Sequence, residues 1–459
     1  MTDLQIWLPR AVAAYEAWLA EFGSFHPHAS TVVAEAEVER AFALLTERLR
    51  DNYPFGHPQY VGQMLKPPHP VAVLGYLSAM LINPNNHALD GGPATARMEH
   101  EVIAALAGMF GIQPYLGHLT SSGTIANLEA LWVARESHPG TAIAFSADAH
   151  YTHARMCSVL GVRGVAVPGD AAGRMDLAAL QQVLRGEDIG TVVATLGTTG
   201  LGAIDPLPQI VNLAKEHGVR VHVDTAYGGF FALIADDSSD GVASGPFKAI
   251  AQADSVVVDP HKHGLQPYGC GAVLFADPAV QRFYRHDSPY TYFSSDELHL
   301  GEISLECSRA GAAAAGLWMT MQVLPLTQDG LGAILRVTRA AALDWYRLLQ
   351  QAQELTGYQV PELDIVTFLP QVDSLGELDR VSNELFHAAA ALPPTEQVHL
   401  ATYNVTAHAL VARGHHLVDD QPTARILRST LMKPESREHL PRIHRTLLGL
   451  VNASSGDTS

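Results

Sequence analysis

The chain has 459 residues, 47% of them apolar, and a formal net charge of −18. That length predicts two or three domains, the apolar share excludes wholesale disorder, and the acidic balance argues against nucleic acid or an anionic membrane surface as the main partner. Three widely spaced cysteines (Cys157, Cys270, Cys307) without a CxxC, and 23 histidines without an HExxH, give no reason to expect a disulfide framework or a metal. The cysteines read as buried, reduced thiols.

Residues 1 to about 50 carry Ala, Leu, Val and Trp at helical spacing, with charges between them. The opening MTDLQIWLPRAVAAYEAWLAEF lacks a basic region followed by an apolar one and reads as an amphipathic helix, not a signal peptide. No run of about 20 uncharged apolar residues occurs, so a cytoplasmic location is expected. A proline-rich stretch at 53–70, YPFGHPQYVGQMLKPPHP, reads as irregular. Beyond about residue 75, short apolar runs alternate with helical ones. The apolar runs are AIAF (142–145), GVAVPGD (164–170), TVVATLG (191–197), VRVHVD (219–224), SVVVD (255–259) and GAVLFAD (271–277), separated by segments such as DLAALQQVLRG and LPQIVNLAKEHG. The alternation predicts an α/β fold: a mostly parallel sheet with helices on both faces. After about 325, a long helical run and then mixed strand and helix predict a small α+β domain. The expected division is 1–75, 76–325 and 326–459.

Open parallel sheets bind ligands beyond the carboxyl ends of their strands, and the chemistry-bearing residues fall there repeatedly. Ser122, Gly123 and Thr124 open a helix in HLTSSGTIANLEAL, where free N–H groups and hydroxyls make an anion site, although a plain helix cap has the same look. No Walker-type GK[ST] is present, which disfavours ATP. His150, in SADAHYTH, can stack an imidazole on an aromatic ring. Thr198 and Thr199 end another strand, within LGTTG. Asp224 ends VRVHVD and is followed by the small residues Thr225, Ala226, Gly228 and Gly229. A carboxylate there can pair with a protonated pyridine nitrogen beside room for a flat ring. Lys262, in DPHKHGLQPYGCG, is one of five lysines; Lys66, Lys215, Lys248 and Lys433 have ordinary surroundings. Withdrawal from water by its apolar and glycine-rich flanks favours the neutral amine that Schiff-base chemistry needs.

Taken in order, TSSGTIANLEAL, SADAHYTHARMCSVLG, LGTTGLGAIDPL, HVDTAYGGF, DPHKHGLQPYGCGAVLF and LECSRAGAAAAGLWM resemble the group II pyridoxal-phosphate-dependent decarboxylases, which act on glutamate, aromatic amino acids, tyrosine or histidine. The resemblance implies a type I aminotransferase-like fold, pyridoxal 5'-phosphate as cofactor, and a homodimer with shared active sites, the N-terminal segment serving dimerisation. It makes Lys262 the Schiff-base lysine and gives Asp224 to the pyridine nitrogen. Ala226 underlies the ring, His150 stacks over it and assists proton transfer, and Thr198 lies near the phenolic oxygen. Ser122, Gly123, Thr124 and His261 hold the phosphate. Arg428, in ILRSTLMKP, matches an arginine placed to bind the substrate carboxylate. Asn86 lies, with Asn83, Asn85 and His87, in a segment that lines the partner's pocket and hints at a polar substrate side chain.

The chain departs from the family pattern in three places. His263 replaces the tryptophan common after the lysine, and Asp259 stands where some members have asparagine. The stretch TMQVLPLTQDGLG carries no tyrosine, whereas many members have one on a mobile loop there that protonates the carbanion. Tyr290 or Tyr292, in SPYTYF, or His150, is then the remaining proton source. The expected reaction is decarboxylation of an L-amino acid to its amine and CO2. The alternatives left open by the missing tyrosine are aldehyde-forming oxidative deamination or Cα–Cβ lysis at the same site.

Overall fold

A computed structural model of the chain describes residues 3–285 and 300–456. Its centre is a seven-stranded sheet of β1 (Leu116–Thr120), β2 (Ala142–Ser146), β3 (Gly164–Val167), β4 (Ile189–Thr195), β5 (Arg220–Asp224), β6 (Ser255–Val258) and β7 (Gly271–Phe275), in the order β1-β7-β6-β5-β4-β2-β3. Strands β6, β5, β4, β2 and β3 are mutually parallel; β7 runs antiparallel to both β6 and β1. The sheet is therefore mostly parallel and helix-covered, an α/β fold as the sequence alternation predicts.

Both faces of the sheet are buried, and strand alternation decides what each meets. Ala144, Val192, Ala194, Val223, Val256 and Leu274 turn to one side, into a core built with the helices Pro93–Phe110, Leu177–Gly186, Leu207–His217 and Gly311–Val323. Their neighbours Phe145, Val193, Val257 and Val273 turn to the other, towards the helices Gly123–Ser137 and Thr152–Leu160. Helix ends are set locally. Gly218 at φ +66° closes Leu207–His217 and lets β5 begin two residues later, a conformation that glycine adopts without steric cost.

A second, antiparallel sheet of β8 (Leu355–Gly357), β9 (Ile365–Pro370), β10 (Ala401–Val405) and β11 (Ala424–Thr430), ordered β10-β11-β9-β8, packs on the helices Leu331–Gln351, Leu375–Ala391 and Ser436–Gly456. The proline-rich stretch is less irregular than its composition suggests. Val61 is fully buried in this second core, its N–H donating to His399 O and its carbonyl accepting from Thr430 N. The two N-terminal helices, Leu4–Ala20 and Glu35–Leu49, differ from all this in having no buried residue. Cys157 and Cys270 are buried, but Cys307, in the loop before Gly311–Val323, is exposed, contrary to the expectation for all three. No described helix is long and apolar enough to cross a membrane.

Candidate active site

The carboxyl ends of β2, β4, β5 and β6, with the loop after β1, converge on a cleft of about 220 Å³ whose walls include Ser122, Gly123, Thr124, His150, Asp224, Ala226, His261 and Lys262. Six residues read from strand-end position and two, Ala226 and His261, given by the resemblance thus share one cavity. Ser122 caps the helix Gly123–Ser137, its hydroxyl accepting from Ile125 N at 3.3 Å, so the first N–H groups of that helix face the cleft as an anion cradle. Glycine is required at 123: a Cβ there would lie 2.5 Å from Asp259 Oδ2.

Strand parity explains the floor. His222 and Asp224 lie on the face of β5 opposite Val221 and Val223, the face covered by Gly123–Ser137 and Thr152–Leu160. From those helices come Asn127 and His153. His153 Nε2 lies 2.8 Å from Asp224 Oδ2, and Asp224 Oδ1 accepts the Ala226 N–H at 3.0 Å. Asn127 Nδ2 donates to Gly123 O at 2.9 Å and stands 3.5 Å from Asp224 Oδ2, while its Oδ1 accepts from His222 Nε2 at 2.8 Å. Burial by itself would raise the Asp224 carboxyl. The His153 contact, the Ala226 N–H and the Lys262 charge outweigh burial and hold it well below the usual carboxylate range. A permanently ionised carboxylate at a strand end suits a cationic ring nitrogen.

Lys262 does not stand as an isolated amine. Its Nζ is 3.1 Å from Asp259 Oδ2, and the same oxygen is 3.5 Å from His261 Nε2. The other Asp259 oxygen, and Thr195 Oγ1 on the cleft wall, are buried without a hydrogen-bond partner among the described residues. Scarcity and surroundings alone do not single out Lys262, because two lysines set aside as ordinary sit in unusual surroundings of their own. Burial pushes Lys66 and Lys433 down to about 8, but their ammonium groups bond Met432 O and Tyr60 O and line none of the cleft.

His150 Nδ1 accepts the Thr152 N–H at 3.2 Å and meets Thr152 Oγ1 at 2.6 Å, which puts the proton of the neutral ring on Nε2. Burial first, then the Lys262 charge, push this imidazole below its usual value. Of the two threonines ending β4's loop, Thr199 lines the cleft; the Thr198 hydroxyl instead accepts the Ala203 N–H at 3.0 Å and faces the neighbouring compartment. Thr198 is thus engaged in its own loop, and Thr199 is the threonine open to the cleft. His263, where tryptophan was expected, is fully buried between Tyr227 O (3.0 Å) and Asp364 Oδ2 (2.8 Å) and ties the lysine loop to the second sheet.

The cleft opens at His150, Tyr151 and Thr199 into a second compartment of about 380 Å³ lined by Asp148, Tyr403 and Arg428. Arg428, on β11, is 4% exposed, donates from Nε to Gly200 O (2.9 Å) and from Nη2 to Thr199 O (2.6 Å), and makes no ion pair among the described residues. Its guanidinium shares the lining of that compartment with the Asp148 carboxyl group and the Tyr403 ring. Asn86 is elsewhere. It is fully buried, donates to Glu99 Oε2 (2.7 Å) and Thr95 O (3.2 Å) and accepts from Thr95 Oγ1 (2.6 Å). With its amide so occupied, it is a structural clamp and not a group offered to a substrate. Tyr290 and Tyr292 lie outside the described residues.

Residues 55–355 match the model of the pyridoxal-dependent decarboxylase conserved domain. The chain belongs to the pyridoxal-dependent decarboxylase family. It is a pyridoxal-phosphate-dependent amino-acid carboxy-lyase. Its relatives include an L-tyrosine decarboxylase of Enterococcus faecium, 28% identical over 432 residues that cover 71% of this chain and 70% of that one. A probable L-aspartate decarboxylase of Pyrococcus abyssi is 25% identical over 347 residues, 74% and 86% of the two chains. In fold, this decarboxylase is similar to mouse CSAD (TM-score 0.77, 21% identity, 94% and 91% of the chains) and to Oryza sativa TDC with PLP and tryptamine (TM-score 0.76, 18% identity, 98% of each). The residues present fit the cofactor: a glycine cradle where a Cβ would collide, an ionised strand-end carboxylate, a lysine, and an unpartnered buried hydroxyl at Thr195 all face one cavity. Sequence reasoning missed His153, Asn127 and Thr195. The first sits three residues beyond His150, but its partner Asp224 lies 71 residues away, so no local spacing gave the pairing.

Proposed function

We propose that this decarboxylase converts an L-amino acid to its amine and CO2 with Lys262 as the residue that bonds the cofactor. The observation that carries the reading is the shared cavity: Lys262, Asp224 and the Ser122–Thr124 helix start open into one cleft, and that cleft leads directly to Arg428. Pyridoxal phosphate bound there supplies an electron-accepting ring for the pair left by the broken Cα–carboxylate bond. The N–H groups of Gly123 and Thr124, with the Ser122 hydroxyl and His261, receive the phosphate. Asp224 faces the ring nitrogen, and the small Ala226 leaves room for the ring. Thr199 is better placed than Thr198 to bond the phenolic oxygen. Arg428 holds the substrate carboxylate, and its backbone hydrogen bonds fix the guanidinium before substrate arrives. His150 would supply, in its imidazolium form, the proton that the substrate carbon takes up after CO2 has left, and return to the neutral ring, the role of the absent loop tyrosine.

The same reading assigns a cytoplasmic homodimer. Trp7, Trp18, Phe22, Phe42 and Leu45 of the N-terminal region are between 44% and 76% exposed on helices that bury no residue, and a second copy is the occupant that the expected shared active sites require. The deciding experiment is product analysis with a panel of L-amino acids, tyrosine and aspartate first. Amine and CO2 in equal amounts support the proposal. Aldehyde with ammonia replaces it with oxidative deamination, and silence across the panel rejects it. Sedimentation of the holoenzyme as a monomer rejects the dimer.

A further inference from the structure

We propose that His153 is a positioning residue that holds the Asp224 carboxylate in place for the ring nitrogen of the cofactor. The inference rests on the assignment of Asp224 just given. His153 is wholly buried, and among the described residues its Nδ1 has no hydrogen-bond partner. The ring stands among apolar and aromatic groups, 6.1 Å from the Phe145 ring and 6.4 Å from that of His222. Burying an imidazole with one nitrogen unsatisfied is costly; the contact that offsets it is the single polar one His153 makes, Nε2 to Asp224 Oδ2 at 2.8 Å.

No neighbour duplicates that contact. Asn127 Nδ2 is 3.5 Å from the same oxygen and already committed to Gly123 O at 2.9 Å, and the Ala226 N–H serves the other oxygen. His222, on β5 itself, bonds Asn127 and Ser255 and does not reach Asp224. The remaining charged and titratable groups around the carboxylate, Lys262, Asp259 and His150, lie on the cleft side. A carboxylate gripped on Oδ2 from behind keeps its orientation and its charge while it faces the cleft. A histidine that only filled core volume would not need Nε2 turned to the one carboxylate in reach.

The test compares two amides of equal polarity and different reach. In His153→Gln the side-chain N–H takes the place of Nε2; in His153→Asn it stops near the place of Nδ1 and cannot reach Asp224. The readout is the ring-nitrogen resonance of holoenzyme loaded with 15N-pyridoxal phosphate, read beside kcat and KM. H153N is expected to move that resonance towards the unprotonated position and to lower kcat on the order of tenfold, the scale of one lost hydrogen bond to a charged group, with KM little changed. H153Q is expected to keep the wild-type resonance and a kcat within about threefold. Identical behaviour of the two variants overturns the proposal. D224N separates the levels: a resonance unmoved even there means that the Asp224 assignment itself fails, whereas one moved by D224N but not by H153N removes only His153. Should H153N not fold, wild-type protein labelled with 15N-histidine answers instead. The His153 Nε2 proton is expected to shift between the apo and loaded forms, and an unchanged signal overturns the inference.

Discussion

The cofactor cleft and the compartment beside it are separated by three shared residues and built in opposite ways. The cleft is assembled from strand ends of one sheet, so its groups fall at regular intervals along 122–262 and their rigidity is that of the sheet. The compartment draws on Gln63, the 147–151 turn, the LGTTG loop, β10 and β11, segments brought together by packing between two sheets. Its one buried cation hangs from the second sheet and is fixed by backbone carbonyls of the first. On the proposed assignments, cofactor chemistry would reside in one structural unit and substrate recognition in the join between two.

That contrast makes ordered expectations. Lys262→Ala should reduce turnover by more than about a thousandfold, because it removes the nucleophile itself; stopped-flow absorbance should also lose the lysine-bound cofactor band. Asp224→Asn should lower kcat on the order of a hundredfold, about 3 kcal/mol of lost electrostatic stabilisation, with the substrate KM nearly unchanged. Arg428→Leu should act on the other side of the divide. It should raise KM about tenfold or more, as loss of a hydrogen bond to a charged group does, and leave cofactor affinity by equilibrium dialysis unaltered. An equal loss of cofactor affinity would dissolve the distinction between the two regions. The pH profile gives a smaller effect. Because burial and Lys262 push His150 down, its ring stays neutral as pH falls past the ordinary histidine value of about 6.5. A proton donor acts in its protonated form, so the alkaline limb of kcat should lie below that value and disappear in His150→Gln. Asn86→Ala should leave KM untouched while costing about 1–3 kcal/mol in denaturant unfolding, because it removes the Asn86 donor from buried Glu99 Oε2 and leaves only the Arg309 and Leu119 contacts on Oε1.

The same division governs what the sequence reveals. β2, β3, β4, β5, β6 and β7 all fall inside or within two residues of the apolar runs read from the sequence, because strands buried on both faces need unbroken apolar chain. β1 hid as LGHLT, where His118 interrupts the run yet is buried against Glu129; a satisfied core histidine looks polar on paper. Strand-end residues were legible because the ends of parallel strands are where ligands go. Thr199 was harder to choose over Thr198, since the choice depends on which hydroxyl the Ala203 N–H captures. Asn86 misled for a related reason: an asparagine serving Glu99 and Thr95 in the interior has the same letter as one serving a ligand. His153 is invisible to composition, because its partner lies 71 residues away and only strand parity brings the two together.

Strand β7 runs between β1 and β6 in the sheet, opposite in direction to both. The phosphate cradle after β1 and the lysine loop after β6 thus become neighbours only once a strand made later in the chain has slipped between them. An incompletely folded chain has half a socket, so the vitamin-derived cofactor recognises the finished protein and not its precursors. At a hundredfold excess over its dissociation constant, such a ligand adds about 2.7 kcal/mol to the folded state.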